Sequence, residues 1–180
     1  MKTYVALLRG INVGGNNKIE MPKLKKCFES LYCTNVITYI NSGNVIFDTK
    51  KQDIAEITSE IEKIIKKTFG LNIRVVLRDQ NNIEKICSKV PKTWVNDQDH
   101  KTDVLFLWEK FANSKTLKLI EINPKVDSLM YVDGAIIWHL KKTDYSKSKM
   151  NNFIGSEVYK NMTARNINTV RKLALLMLKN

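Results

Sequence analysis

Over the first eighty positions the apolar residues switch between two periods, and the switching predicts a fold. "YVALL" (Tyr4 to Leu8) is a short unbroken apolar run, the pattern of a strand covered on both faces. After a glycine-rich stretch, Met21, Leu24, Phe28 and Leu31 recur at helical steps, with Pro22 suited to the first turn. In "VITYINSGNVIF" two β-rich runs flank Asn41-Ser42-Gly43, so a hairpin is expected. Ile54, Ile57, Ile61, Ile64, Ile65 and Phe69 form the stripe of a long helix. Asp53 followed by Glu56 reads as its cap, and Gly70 closes it. "NIRVVLR" supplies a last strand. The order β-α-β-β-α-β is the split unit of ferredoxin-like folds: an antiparallel sheet with two helices on one face. "YVALL", "VIF" and "VVL" leave few polar positions for a wet second face, so that face must be covered, and the second half of the chain is the candidate cover.

That half shows no Gly-, Ser- or Pro-rich linker before it. A helix, "NNIEKICSKV", stops at Pro91, "DVLFLW" reads as a strand, and "NSKTLKLIEI" as a helix ending before Pro124. "SLMYVDGAIIWHL" is a second hairpin turning at Asp133-Gly134. Helices are expected around Asn151 to Asn161 and from about Asn168, where Val170, Leu173, Leu176 and Met177 are apolar. This β-α-β-β-α-α order echoes the first half without its last strand, as a diverged duplication would. The expected class is α+β: two ferredoxin-like (alpha-beta plait) units packed together, the second incomplete or diverged, with a boundary near residue 80 (1–80 and 81–180).

Charge changes the picture only through its distribution. The net charge is +12, but lysine outnumbers arginine 25 to 5 in a chain rich in Ile and Asn, the signature of an AT-rich coding bias. Residues 51–140 are nearly balanced, 14 basic against 13 acidic, whereas residues 141–180 carry nine basic and two acidic side chains. A solvated basic surface and an anion-binding face are both consistent with this. Cys27, Cys33 and Cys87 have no metal-ligand spacing and read as reduced, mostly buried thiols. Neither they nor His100 and His139 suggest a metal site, and no cofactor is expected. The early apolar run is too short for a signal-peptide core or a membrane span, so the expectation is a cytoplasmic protein with no membrane partner.

"LLRGINVGGNN" is the best candidate for chemistry. It lacks the Lys-Ser/Thr of a Walker A loop, since Gly15 is followed by Asn16-Asn17, and Gly10, Gly14 and Gly15 do not have dinucleotide-loop spacing. What remains is glycine backbone able to approach an anion, next to a helix N-terminus. The competing reading is a long turn whose asparagines satisfy its own backbone. The junctions before the two helices are expected at one end of the sheet, bringing Lys18 towards Lys50 and Lys51. The Ser42-Gly43-Asn44 turn is expected at the other end, as a turn and not as a nucleophile, since Ser42 has no local base and no elbow motif. In "TARNINTVRKL", Arg165 and Asn166 stand at a helix start, either capping it or forming a second anion site deepened by Lys147, Lys149 and Lys160. His139 reads as a packed or surface histidine. The strand "NVIFD" lacks the exposed aromatics on which RNA-binding plaits stack bases.

Together "LLRGINVGGNNKIEM", "VITYINSGNVIF" and "TARNINTVRKL" resemble the bacterial domain of unknown function 1697 family, in the expected order and over nearly the whole length. The usual tryptophan of the closing block is Ile167 here. The resemblance implies two ferredoxin-like units and brings no activity or catalytic residue. The family pattern includes Arg9, Gly10, Asn12, Gly14, Gly15, Ser42, Gly43, Asn44, Arg165, Asn166 and Thr169. The expectation is therefore an uncharacterised protein that binds a phosphorylated small molecule or nucleotide through Arg9, Gly10, Asn12, Gly14, Gly15 and Lys18, with Arg165 and Asn166 as a further wall. Alternatives are nucleic-acid binding through the basic C-terminal face and a protein-interaction module using a free sheet edge. Whether it is an enzyme stays open, because no residue set names a reaction.

Overall fold

The apolar run forms β1 (Lys2–Leu8), followed by α1 (Met21–Glu29), β2 (Thr34–Tyr39), β3 (Asn44–Thr49), α2 (Ile54–Phe69) and β4 (Val75–Asp79). In this computed structural model, which describes residues 1–179, the strands lie in the antiparallel order β2-β3-β1-β4. Asp53 caps α2 by accepting from the Ala55 and Glu56 N–H groups. Gly70, at φ 69°, ends α2 with its N–H on the Lys66 carbonyl. Leu24 and Phe28 of α1 and Ile57, Ile61 and Ile65 of α2 pack on Tyr4, Ala6, Leu8 and Phe47. Val5, Leu7 and Ile46, which alternate to the opposite face, are fully buried too. The second face is thus dry, as the unbroken apolar strands require.

After α3 (Gln80–Lys89) comes β5 (His100–Leu107), then β6 (Ser128–Val132), β7 (Ala135–Lys141), α4 (Met150–Phe153), α5 (Glu157–Lys160), β8 (Met162–Asn166) and α6 (Ile167–Met177). The second sheet has the order β6-β7-β5-β8. One compact unit comprises residues 1–81 with the C-terminal residues from 173; the other comprises residues 82–172.

The second unit does have its last strand. Periodicity passed over β8 because its buried positions include Thr163 and Arg165, which carry no apolar signal. The expected helix over "NSKTLKLIEI" is a 3-10 turn, Ser114–Leu119, and the one around Asn151 to Asn161 is split into α4 and α5 at Gly155 (φ 92°). The two sheets nevertheless share one register frame. Leu7 faces Asn44 and Tyr4 faces Asp79 in the first; Phe106 faces Ala135 and Asp103 faces Asn166 in the second. The Leu8 N–H donates to the Gly43 carbonyl and the Leu107 N–H to the Gly134 carbonyl, each at 2.9 Å. The two units thus repeat one strand order and one register, and they differ most in their helices.

Inside the second unit Trp138 is fully buried, and its indole donates to the Asp127 carboxylate at 3.0 Å. That carboxylate, only 4% exposed, also accepts from Ser148 Oγ at 2.5 Å and from the Asn123 and Lys149 N–H groups. One buried anion thus ties β7 to two connecting segments.

Candidate anion-binding site at the glycine loop

The loop after β1 is a small hairpin of its own. The Asn16 N–H bonds the Val13 carbonyl at 3.1 Å and the Asn12 N–H bonds the Asn17 carbonyl at 3.2 Å. Gly14 (φ 58°) and Gly15 (φ 79°) occupy the centre of that turn, and two adjacent positive-φ positions are why "GG" stands there. No atom lies within 4 Å of where a Cβ would sit on Gly10, Gly14 or Gly15. These glycines are required for backbone conformation and not for close packing.

The asparagines hold the loop in place. Asn12 Nδ2 donates to the Ile19 and Asn41 carbonyls, both at 2.9 Å, and Asn12 Oδ1 accepts from the Ile19 N–H at 2.8 Å. Asn17 Nδ2 donates to the Gly10 carbonyl at 2.9 Å. Asn12 is therefore a strut, with its amide committed to backbone.

Two positional expectations are overturned. The turn between β2 and β3 lies at the same end as the glycine loop, because β3 runs antiparallel to β1 and Leu7 faces Asn44. There Gly43 (φ 76°) packs so closely that an added Cβ would lie 2.8 Å from both Leu8 and Ile11 side-chain atoms. By the same pairing Thr49 faces Lys2, so Lys50 and Lys51 belong at the opposite end, where Lys51 pairs with Glu56 (2.9 Å) and Glu60. They cannot join Lys18. Ser42 accepts from the buried Asn44 Nδ2 at 3.0 Å, a turn-stabilising contact.

Between the two loops and the start of α1 lies a cleft of about 440 Å³, lined by Asn12, Gly15, Lys18, Glu20, Met21 and Asn41, among others. Glu20 precedes α1 without a side-chain cap, and Pro22 has no N–H, so the Met21 and Lys23 N–H groups of the first turn are not capped. The Gly14 and Gly15 N–H groups make no hydrogen bond among the described residues. Lys18 is exposed beside them. The cleft thus combines one exposed cation, backbone donors and a helix N-terminus, with the Glu20 carboxylate held by Lys23 at 3.3 Å. Asn41, Glu20 and Met21 escaped sequence reasoning; the antiparallel pairing of β1 with β3 was the signal that would have found Asn41.

Arg9 is half-buried at the end of β1, its N–H on the Arg74 carbonyl at 3.0 Å. Arg165 and Asn166 lie in the other unit. The Arg165 guanidinium is 8% exposed and donates to Thr163 Oγ1 (3.1 Å) and the Ala164 carbonyl (2.7 Å); burial pushes its pKa down to about 10. Asn166 Oδ1 accepts from the Thr169 N–H at 2.9 Å, the capping geometry. Asn168 and Arg171 strap residues 91–96, through the Asn96 carbonyl (2.7 Å) and the Pro91 carbonyl (3.2 Å). "TARNINTVRKL" is thus largely a scaffold. Among the described residues no three His, Cys, Asp or Glu side chains are placed to hold a metal, and no helix is long and apolar enough to cross a membrane.

Residues 1–138, which include the glycine loop, the first hairpin and most of the second, match the family model described as a protein of unknown function, DUF1697. The chain belongs to this family. The block from Thr163 lies beyond the matched residues. Among solved structures, the conserved bacterial protein SP0830 from Streptococcus pneumoniae is similar, at 25% identity over 98% of each chain and a TM-score of 0.83. No curated protein matches the chain. The family brings the fold and no reaction.

Proposed function

We propose that the cleft beside the glycine loop binds a small phosphorylated molecule, with Lys18 and the loop and helix N–H groups on its phosphate. The observation that carries this reading is the convergence, on one 440 Å³ cleft, of an exposed lysine, Gly15, whose N–H has no intramolecular partner among the described residues, and an uncapped helix start. Backbone N–H groups at a helix N-terminus favour a dianion, and a lysine adds a point charge without demanding one geometry. Glu20 on the same wall favours a ligand that also carries hydroxyl or amino donors.

The test is isothermal titration of the full chain with inorganic phosphate, nucleotides and sugar phosphates. Binding by at least one member, weakened about tenfold or more by Lys18→Ala, is expected, since a charge-assisted hydrogen bond contributes about 1.5–3 kcal/mol. Absence of binding across the panel, or binding indifferent to Lys18→Ala, refutes the reading. The nucleic-acid alternative has weaker support. Lys147, Lys149 and Lys160 are engaged with Asp144, Glu121 and Glu157 at 2.9, 3.1 and 3.0 Å, and Arg165 is buried. Edge pairing through β2 also has less support, because a bulge between Thr34 and Ile37 interrupts its ladder.

A further inference from the structure

The glycine loop is not the only cluster the family's lack of an activity leaves unexplained. His139 of β7 lies opposite Thr102 of β5 and Ser128 of β6. Its ring is the middle member of a three-ring stack, 4.8 Å from Trp94 at an interplanar angle of 9° and 5.6 Å from His100 at 17°. The Thr102 hydroxyl has a single proton and gives it to the Val95 carbonyl at 2.7 Å. The 2.8 Å contact between Thr102 Oγ1 and His139 Nδ1 is therefore donated by Nδ1–H. That sets the tautomer of the neutral ring and leaves Nε2 as the position where a proton adds. On the far side of the stack, His100 Nδ1 lies 3.2 Å from Asp97 Oδ1, which also accepts the Asp99 and His100 N–H groups.

The charged neighbours are few. From the segment 91–99 and β5 come Asp97 and His100. Lys142, just beyond β7, reaches the Asp97 carbonyl, and Lys141 sits opposite His100 in the ladder. Lys101 and Asp103 pair with each other at 2.8 Å, and β6 offers only Ser128 opposite the ring.

We propose that this stack is a pH-sensitive latch on residues 92–95: neutral His139 holds Trp94 and its segment against β7, and protonation of His139 beside His100 releases them. Two imidazolium rings stacked at 5.6 Å face each other as like charges, and only one of them has a carboxylate partner. Burial, and then His100, hold His139 below its ordinary pKa, with Asp97 pulling the other way. A base whose folded pKa is depressed favours the closed segment fully above the ordinary histidine value, and that preference is lost as the pH falls through and below it. Opening stays local to residues 92–95, because Asn168 and Arg171 keep their grip on Asn96 and Pro91 at its two ends.

Hydrogen exchange of the full chain at pH 7.5 and pH 5, corrected for intrinsic rates, tests the latch. Amides of residues 92–95 are expected to lose protection several-fold at pH 5 in the wild type. His139→Phe, which keeps a ring in the stack and cannot titrate, is expected to abolish that dependence. Equal protection at both pH values in the wild type, or loss that persists in His139→Phe, overturns the proposal. Histidine NMR titration of the unmodified chain gives an independent check: the His139 midpoint must lie below the ordinary histidine value, and an ordinary or raised His139 midpoint also overturns the proposal.

Discussion

Gly43→Ala, set against Gly15→Ala, tests whether the β2–β3 turn and the glycine loop support each other. Both glycines hold a positive φ, 76° and 79°, so both substitutions carry the left-handed backbone cost of about 1–2 kcal/mol. Their surroundings differ. At Gly15 nothing lies within 4 Å of the new methyl, whereas at Gly43 it would lie 2.8 Å from Leu8 Cβ and Ile11 Cδ1, both in fully buried side chains. Leu8 is held by β1 and Ile11 by the core, so neither can retreat without opening the loop. Overpacking of this kind adds about 1–3 kcal/mol. The expected losses are therefore about 1–2 kcal/mol for Gly15→Ala and about 2–5 kcal/mol for Gly43→Ala. In a chain of this size that separates their melting temperatures by several degrees, at roughly 2–4 °C per kcal/mol. Urea denaturation followed by circular dichroism gives the two midpoints directly. Equal losses for the two variants would refute the packing of the turn against the loop, and with it the shared end of the sheet on which the cleft depends.

Asp127→Ala should destabilise by about 3–5 kcal/mol, because it strands the buried donors of Trp138, Ser148, Asn123 and Lys149; a loss under about 1 kcal/mol in denaturation would contradict this. Burial opposes ionisation of that carboxyl, yet the hydrogen bonds from Ser148, Asn123, Trp138 and Lys149 together hold it below the usual range. Its contribution is therefore complete above the ordinary carboxylate pKa and disappears as the pH falls through the lower folded value, so the wild type must lose stability relative to Asp127→Asn in acid. Asn12→Ala removes three hydrogen bonds to backbone and is expected to cost about 1–3 kcal/mol and to weaken any ligand of the cleft along with Lys18→Ala. The Cys33 thiol, buried and pushed up to about 11 by desolvation, then Glu60, against Lys51, should react with a disulfide reagent at pH 8 only on unfolding. Rapid labelling of Cys33 in the folded chain would count against that burial.

Much of the first unit was legible because its signals are local. Ile57, Ile61 and Ile65 lie one helical turn apart, Asp53 and Gly70 bracket that helix, and the central strands are apolar without interruption. Each follows from backbone geometry and from the cost of leaving apolar surface wet. The second unit was harder to read for a physical reason. Buried Thr163 and Arg165 satisfy their polar atoms inside β8, and a strand of that composition has no periodicity to detect. Its short helices are set by packing and by Gly155, not by a stripe.

The candidate site divides in the same way. By itself, the sequence determined that a turn with unusual backbone angles follows β1, since the chain tolerates positive φ at Gly10, Gly14 and Gly15 without steric cost. It also determined that no named phosphate motif stands there. Only the tertiary structure decided what surrounds that turn. Antiparallel pairing of β1 with β3 brings Asn41 and Gly43 to it and sends Lys50 and Lys51 away, and Asn12 becomes a strut because the carbonyls of Ile19 and Asn41 come within its reach. Strand direction and hydrogen-bond reach belong to the sheet as a whole, and no local window of residues contains them.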